Sequence, residues 1–196
     1  MPRLLLLGDS IRLSYQPLVA ELLSGRAQVV GPAENCQYSE YTLNRLDAWL
    51  EELGRPDVVH WNNGLHDIGH NRLRVPMQFP LADYLGHLQQ ILARLRQTGS
   101  RIIWATSTPV HPSEPVPGDQ WSWSNEDIVR YNAAARELMG REDVPVNDLH
   151  ALVWADAERY LADDRLHLSA AGQSVCAEAV VRAVNDIRTG WEGCPG

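Results

Sequence analysis

Residues 3–10 read RLLLLGDS, a short apolar run that leads directly into a turn and a polar side chain. Four consecutive leucines between Arg3 and Gly8 are typical of a strand that is buried on both faces of a parallel sheet. Ligands bind beyond the carboxyl ends of the strands in such sheets. The stretch therefore predicts that the Ser10 hydroxyl is exposed at that edge, beside the start of a helix.

The alternation of apolar runs with helical periodicity continues along the chain and predicts an α/β fold. Five strands are expected, at residues 3–7, 27–30, 57–61, 101–105 and 144–146. The expected helices are 15–23, 43–53, 81–97, 126–140, 152–161 and 170–187. Asn125 and Ser169 are placed to cap two of these helices, and Asp148 is placed to cap or orient a turn.

The composition limits the classes of function that need to be considered. The chain has 196 residues, of which 44% are hydrophobic and 21% charged, and this predicts one globular domain spanning 1–196. A net charge of -8 without a basic run argues against nucleic acid or an anionic membrane as a partner. The leucine run is too short for a signal peptide or a membrane span, so we expect a cytoplasmic protein.

The cysteines carry no sign of a metal site or a disulfide framework. Cys36, Cys176 and Cys194 form neither a CxxC pair nor a metal-ligand spacing. Such cysteines fit a reducing compartment or buried thiols. A chain of this length can also bury a sufficient core without metal or disulfide support.

A second polar motif, Asp164-Arg165-Leu166-His167, precedes the last predicted helix. A D-x-x-H turn can bring a carboxylate to an imidazole, where it fixes the tautomer and stabilises the imidazolium. A serine hydroxyl needs such a partner, because it is a poor nucleophile until an imidazole accepts its proton. Taken singly, Ser10 has the alternative of a helix cap and His167 that of a histidine bonded to backbone.

The pairing of Gly8-Asp9-Ser10 with DRLHLS at 164–169 resembles the GDSL or SGNH hydrolases, and the resemblance covers nearly the whole chain. It implies a flavodoxin-like three-layer α/β/α sandwich with a five-stranded parallel sheet in the order 2-1-3-4-5. It implies Ser10 as nucleophile, His167 as general base and then acid, and Asp164 as the residue that orients the histidine. The family hydrolyses esters and thioesters and uses no metal or organic cofactor.

The resemblance also implies three oxyanion donors, and this chain departs from the family at two of them. Cys36 stands about where the family has a glycine, whose amide donates; an ordinary buried cysteine is the alternative. The family's G-x-N-D reads GLHD at 64–67, so His66 occupies the asparagine position. A neutral imidazole can donate one hydrogen bond, and Asn63 is the alternative donor. We count Asp9, beside the nucleophile, among the substrate-binding candidates.

Residues 108–124 form a long irregular stretch after the fourth predicted strand, with four prolines and the tryptophans Trp121 and Trp123. Because the stretch leaves from a strand's carboxyl end, one interpretation is a lid or a wall of the substrate site. The other is that the tryptophans only pack the loop onto the body of the protein. Together with Tyr38 they could stack a sugar or enclose a small acyl pocket.

The leading prediction is therefore a serine esterase that forms an acyl-enzyme from short acyl groups, such as O-acetyl on a carbohydrate or small molecule. A lipase or thioesterase acting on longer chains is the alternative within the family. A binding domain that has lost its oxyanion donors is another. The last is a metal hydrolase built on His66 and His70, although the stretch lacks helical periodicity and an HExxH glutamate. No oligomeric state is predicted.

Overall fold

The computed structural model describes residues 1–71, 77–114 and 121–189. In this part of the chain, five parallel strands form a sheet in the order β2-β1-β3-β4-β5. The α/β fold class and the strand order expected from the family resemblance are confirmed. The strands are β1 (Arg3–Leu7), β2 (Gln28–Val30), β3 (Val58–Trp61), β4 (Arg101–Ala105) and β5 (Val146–Asn147).

Helices cover both faces of the sheet. Helix α1 packs against α8 on one side, while α2, α4 and α5 pack side by side on the other, which gives the three layers of the sandwich. The helices are α1 (Ser10–Leu22), α2 (Ser39–Leu53), α3 (Leu65–Ile68), α4 (Leu81–Gln97), α5 (Asn125–Arg141), α6 (Leu149–Trp154), α7 (Ala157–Tyr160) and α8 (Ala170–Thr189). Among the helices of the described residues, none has the length and apolarity that crossing a membrane requires.

The central strands place their carboxyl ends at one level. Leu7 of β1 is in register with Trp61 of β3, and Trp61 is in register with Trp104 of β4. These three side chains are fully buried, as expected for strands covered on both faces. The residues that follow β1, β3 and β4 therefore meet along the same edge of the sheet.

Helix α1 begins at Ser10, five residues before the predicted start at residue 15. Asp9 explains the early start, because its Oδ1 accepts the amide hydrogen of Ile11 at 2.9 Å and caps the helix. Ile11, Tyr15 and Val19 then bury one face at a spacing of four residues. The first residue of the helix is thus the predicted nucleophile.

Other boundaries also differ from the prediction. Helix α2 begins at Ser39 rather than at residue 43, and β5 is shifted from 144–146 to Val146–Asn147. The helix predicted over 152–161 is two short helices, α6 and α7. Short helix α3 was not predicted, because four residues are too few to show a period.

Two of the three predicted caps are confirmed. Ser169 Oγ accepts the amide hydrogen of Gly172, and Asp148 Oδ1 accepts that of Ala151. The prediction for Asn125 was wrong, because Ser124 caps α5 and Asn125 is the first helical residue. The Asn125 side chain instead holds both backbone polar groups of Val110, at 3.1 and 2.9 Å.

Candidate active site

The turn between β1 and α1 presents Ser10 at the carboxyl edge of the sheet. A Cβ atom on Gly8 would lie 2.8 Å from Arg12 Cβ, so the close approach of strand and helix requires glycine there. Ser10 is the first residue of α1, where backbone N–H groups have no partner within the helix. The serine therefore offers both a hydroxyl and an amide hydrogen at the start of a helix.

The turn at 164–167 is organised by its own aspartate. Asp164 Oδ1 accepts the backbone N–H groups of Leu166 at 3.1 Å and His167 at 2.9 Å. Arg165, between Asp164 and Leu166, takes a left-handed conformation with φ of 65°. The base of the turn is closed by an isolated antiparallel bridge between Leu161 and Leu168.

The structure brings the three residues of the two motifs together in one hydrogen-bonded chain. Ser10 Oγ lies 2.9 Å from His167 Nε2, although the two residues are 157 positions apart in sequence. His167 Nδ1 lies 2.6 Å from Asp164 Oδ2. A histidine whose Nδ1–H donates to a carboxylate keeps Nε2 as an acceptor, which can take the serine proton.

Asp164 is suited to remain charged at neutral pH. Partial burial raises the pKa of its carboxyl group, but the hydrogen bonds from His167 and Leu166 outweigh this effect, so the pKa is lowered overall. Its side chain is 49% exposed, and that of His167 is 41% exposed. The carboxylate can therefore orient the histidine and stabilise its protonated form without the cost of full desolvation.

The histidine-bearing turn is also attached to the segment that follows β4. The backbone N–H of His111 donates to Arg165 O at 3.0 Å, and Arg165 forms an ion pair with Glu114 at 2.5 Å. These contacts add to the packing of α8 on α1. That packing brings Ser10, at the start of α1, close to the turn that precedes α8. The position of His167 relative to Ser10 is thus fixed from several elements.

A cavity of about 590 Å³ opens in front of Ser10 and His167. Its volume is within the range of small-molecule sites. Apolar, aromatic and uncharged polar side chains supply most of its wall. The lining residues are Asp9, Ser10, Ile11, Asn35, Gln37, Tyr38, Leu65, His66, Gln78, Trp121, Trp123, Leu166 and His167.

Both tryptophans of the predicted wall lie on this cavity. Trp121 and Trp123 stack with their ring centroids 6.2 Å apart and their planes at 22°. Trp123 also donates from Nε1 to Leu65 O at 2.7 Å, so it packs onto the body and faces the cavity at once. Of the stretch 108–124, residues 115–120 lie outside the described residues.

The predicted donors Cys36 and Asn63 do not face the cavity. The amide of Cys36 donates to Gly8 O at 3.2 Å, and its buried side chain contacts the Arg12 guanidinium. Asn63 is 1% exposed, and its side chain accepts from Trp61 Nε1. Its Nδ2 donates to Gln37 O and Thr42 Oγ1. Neither the Cys36 backbone amide nor the Asn63 side-chain amide is therefore available to a ligand.

His66, which occupies the family's asparagine position, lies on the wall of the cavity. It belongs to α3, which ends at Ile68, so His66 and His70 do not share a helical face. This corrects the spacing on which the metal alternative was built. Within the described ranges, no group of three His, Cys, Asp or Glu side chains could hold a metal ion.

Sequence reasoning missed Arg12, which ties the loop after β2 to the serine turn. The Arg12 side chain is 1% exposed and donates to the carbonyl oxygens of Gly8, Pro32 and Glu34. Arginine is normally exposed, so the burial of Arg12 between the serine turn and the β2–α2 loop carries almost no local sequence signal. The guanidinium fixes the chain that forms one wall of the cavity.

Asp67 was also missed, although it belongs to the GLHD motif. Its carboxylate accepts the backbone N–H of Ser39 at 3.0 and 3.1 Å and the Ser39 hydroxyl at 2.5 Å. Ser39 begins α2, so Asp67 caps that helix from another element. Complete burial raises the pKa of Asp67 to about 7, against the lowering effect of the Ser39 hydrogen bonds.

Solved structures show the same fold at low sequence identity. An acetyl xylan esterase, AlAXEase, has a TM-score of 0.78 and 19% identity, covering 93% of this chain and 99% of that one. An acetyl xylan esterase from Geobacillus stearothermophilus has a TM-score of 0.76 and 19% identity, covering 92% and 93%. The psychrotrophic esterase EstA from Pseudoalteromonas sp., inhibited by monoethylphosphonate, has a TM-score of 0.72 and 13% identity, covering 96% and 100%.

Comparison with curated protein sequences finds no match. The GDSL-like lipase/acylhydrolase family, in contrast, matches residues 6–175. The matched range begins within β1 and ends within α8, so it includes both polar motifs. The chain therefore belongs to the GDSL-like lipase/acylhydrolase family, and it is an ester hydrolase.

Proposed function

We propose that the protein is a serine esterase that works through an acyl-enzyme. The Ser10 Oγ forms a bond to the acyl carbonyl carbon while its proton passes to His167 Nε2, 2.9 Å away. The carbonyl becomes a tetrahedral oxyanion. Its collapse breaks the bond to the alcohol, which leaves with the proton held by His167.

Water then completes the reaction. His167 removes a proton from the water, whose oxygen attacks the acyl carbon, and the proton returns to Ser10 as the acid departs. Asp164 keeps Nδ1 of the histidine protonated through both steps. The Ser10 amide at the start of α1 and the His66 ring on the cavity wall are the proposed donors to the oxyanion.

For the substrate, we propose a short acyl ester of a carbohydrate or other small molecule. The stacked pair of Trp121 and Trp123 offers a flat apolar surface on which a sugar ring can rest. Acetyl xylan esterases among the similar structures support this choice. A lipase or thioesterase acting on longer acyl chains is the second candidate, because apolar Ile11, Leu65 and Leu166 also line the cavity.

The Ser10–His167–Asp164 hydrogen-bonded chain is the observation that carries the proposal. A fluorophosphonate reacts with serines that are activated by a neighbouring base, so we expect one adduct per chain, located on Ser10 by peptide mass spectrometry. Ser10→Ala should give none, and His167→Ala should react at least about a hundred times more slowly. Absence of an adduct on folded wild-type protein would favour a binding domain instead.

The acyl preference has its own test. Hydrolysis of p-nitrophenyl acetate, butyrate and octanoate should be fastest, by kcat/KM, for acetate or butyrate. A preference for octanoate would contradict the short-acyl proposal and favour the lipase or thioesterase candidate. Trp121→Ala and Trp123→Ala should lower kcat/KM for acetylated sugars more than for p-nitrophenyl acetate, if the tryptophans bind the sugar.

A further inference from the structure

The cavity in front of Ser10 and His167 has fewer available donors than the sequence suggests. The Cys36 amide is bonded to Gly8 O, and both hydrogens of the Asn63 amide are donated within the core. The Gln37 amide is likewise occupied, because it donates to Asn35 Oδ1 at 2.7 Å. Of the donors that the motifs supply, the Ser10 amide and the His66 ring remain for an oxyanion formed at Ser10, so any third donor comes from outside the motifs.

Asn35 has the chemistry and the position for this role. It lies in the loop between β2 and α2 and lines the same cavity as Ser10 and His66. Its Oδ1 is held by the Gln37 amide, which fixes which end of the side-chain amide is oxygen and which is nitrogen. Among the described residues, nothing accepts a hydrogen bond from its Nδ2, so two N–H hydrogens remain for a ligand.

The loop that carries Asn35 is held in place before any ligand arrives. Arg12 donates to Glu34 O at 2.9 Å and to Pro32 O at 2.9 Å. The Glu34 carboxylate accepts from Tyr41 Oη at 2.6 Å and from Trp49 Nε1 at 2.9 Å. A donor stabilises developing charge best when it needs no reorganisation, and this loop meets that condition.

We infer that Asn35 Nδ2 donates a hydrogen bond to the oxyanion of the tetrahedral intermediate, together with the Ser10 amide. The inference rests on the proposed esterase function. In this arrangement the carboxamide donor comes from the β2–α2 loop rather than from the GLHD motif. Asn35 is then a catalytic residue, and it supplies the carboxamide donor that the GLHD motif lacks, beside the Ser10 amide and the His66 ring.

The deciding variant is Asn35→Asp. The aspartate can still accept the Gln37 amide hydrogen and so preserve the turn, but it has no N–H to donate. We expect kcat for p-nitrophenyl acetate to fall about 100- to 1000-fold, while KM changes less than about threefold. Asn35→Ser, which also preserves the turn acceptor and adds no charge, should lose a similar part of kcat.

The matched control is Asn44→Asp, the same substitution at an exposed position of α2, which should keep wild-type kcat. Circular dichroism and thermal unfolding show whether each variant is folded. If folded Asn35→Asp or Asn35→Ser keeps kcat within about threefold of wild type, the inference is overturned. If wild-type protein neither hydrolyses esters nor labels on Ser10, the proposed function itself fails, and the two failures are thereby distinguished.

Discussion

Two aspartates near the candidate site accept similar hydrogen bonds, but they differ in exposure and in the direction of their pKa shifts. Asp164 accepts from two backbone amides and the His167 ring, and Asp67 accepts from the amide and hydroxyl of Ser39. Their exposures differ greatly, since the Asp164 side chain is 49% exposed and Asp67 is fully buried. The pKa of Asp164 is lowered, whereas burial raises that of Asp67 to about 7.

The contrast shows that solvent access, and not the number of hydrogen bonds, separates the two carboxyl groups. At the surface, Asp164 can stay ionised and pair with a protonated histidine. In the interior, Asp67 instead joins α3 to the start of α2. There a neutral carboxyl group is less costly than a charged one. We therefore expect substitutions at Asp164 to affect activity and substitutions at Asp67 to affect stability.

The largest expected effect is on activity in Asp164→Asn. Asparagine can still accept the amide hydrogens of Leu166 and His167, but it no longer stabilises the histidine tautomer and charge that catalysis needs. We expect kcat for ester hydrolysis to fall by about 10³- to 10⁴-fold. The melting temperature should change little, because the side chain is half exposed.

Asp163→Asn is the control for that experiment, since Asp163 is an exposed neighbour in the same turn. It should retain wild-type kcat. An Asp164→Asn enzyme with kcat within tenfold of wild type would contradict the role given to Asp164.

The next effect is on stability in Asp67→Ala. Removing the carboxylate leaves the buried amide of Ser39 without its partner and opens a cavity at the start of α2. We expect the free energy of unfolding in urea to fall by about 2–4 kcal/mol. An unchanged unfolding midpoint would show that Asp67 does not hold the two segments together.

Per pH unit, a smaller effect should appear in the pH dependence of unfolding. The folded-state pKa of Asp67 is raised to about 7 from 3.8, so between pH 4 and 7 the folded protein keeps a proton that the unfolded chain releases. Stability should therefore fall as pH rises through this window, by at most about 1.4 kcal/mol per pH unit from this group. Asp164 acts in the opposite sense, because its lowered pKa contributes stability that is lost as pH falls below about 4.

Urea unfolding at several pH values between 4.5 and 7 tests this difference. Asp67→Asn has no titrating group at the position, so its stability should depend less steeply on pH than that of wild type. Parallel profiles for the two proteins would mean that Asp67 is ionised throughout the window.

The smallest effect is expected from Ser39→Ala. The variant loses the hydroxyl bonds to Asp67 and His87 but keeps the amide bonds to the carboxylate. We expect a loss of about 1 kcal/mol in the free energy of unfolding and no change in kcat. A loss as large as that of Asp67→Ala would place the stabilising contact in the hydroxyl rather than in the helix cap.

The parts that sequence predicted well depend on patterns of adjacent residues. The four leucines of β1 specify a buried strand, and DRLH places a carboxylate three residues before a histidine, as the turn requires. The strand order came from the family resemblance and is confirmed. The roles of Ser10, Asp164 and His167 in catalysis stay predictions, which the labelling and kinetic experiments test.

The parts that sequence did not predict depend on contacts between distant segments. Arg12 reaches carbonyl oxygens 20 and 22 positions away, and Asp67 caps a helix that begins 28 residues earlier. The Cys36 amide hydrogen, for example, is unavailable because it is donated to the carbonyl oxygen of Gly8, just after β1. No local pattern reports such pairings, so the sequence alone does not show that the Cys36 amide and the Asn63 side chain are already hydrogen-bonded within the protein.

The separation between Ser10 and His167 has a consequence for synthesis of the protein. The nucleophile is translated before its base, which follows 157 positions later. A growing chain that lacks α8 and the turn before it has the serine but nothing to accept its proton. On the proposed mechanism, hydrolysis begins only when the segment from Asp164 through α8 has left the ribosome and α8 has packed against α1.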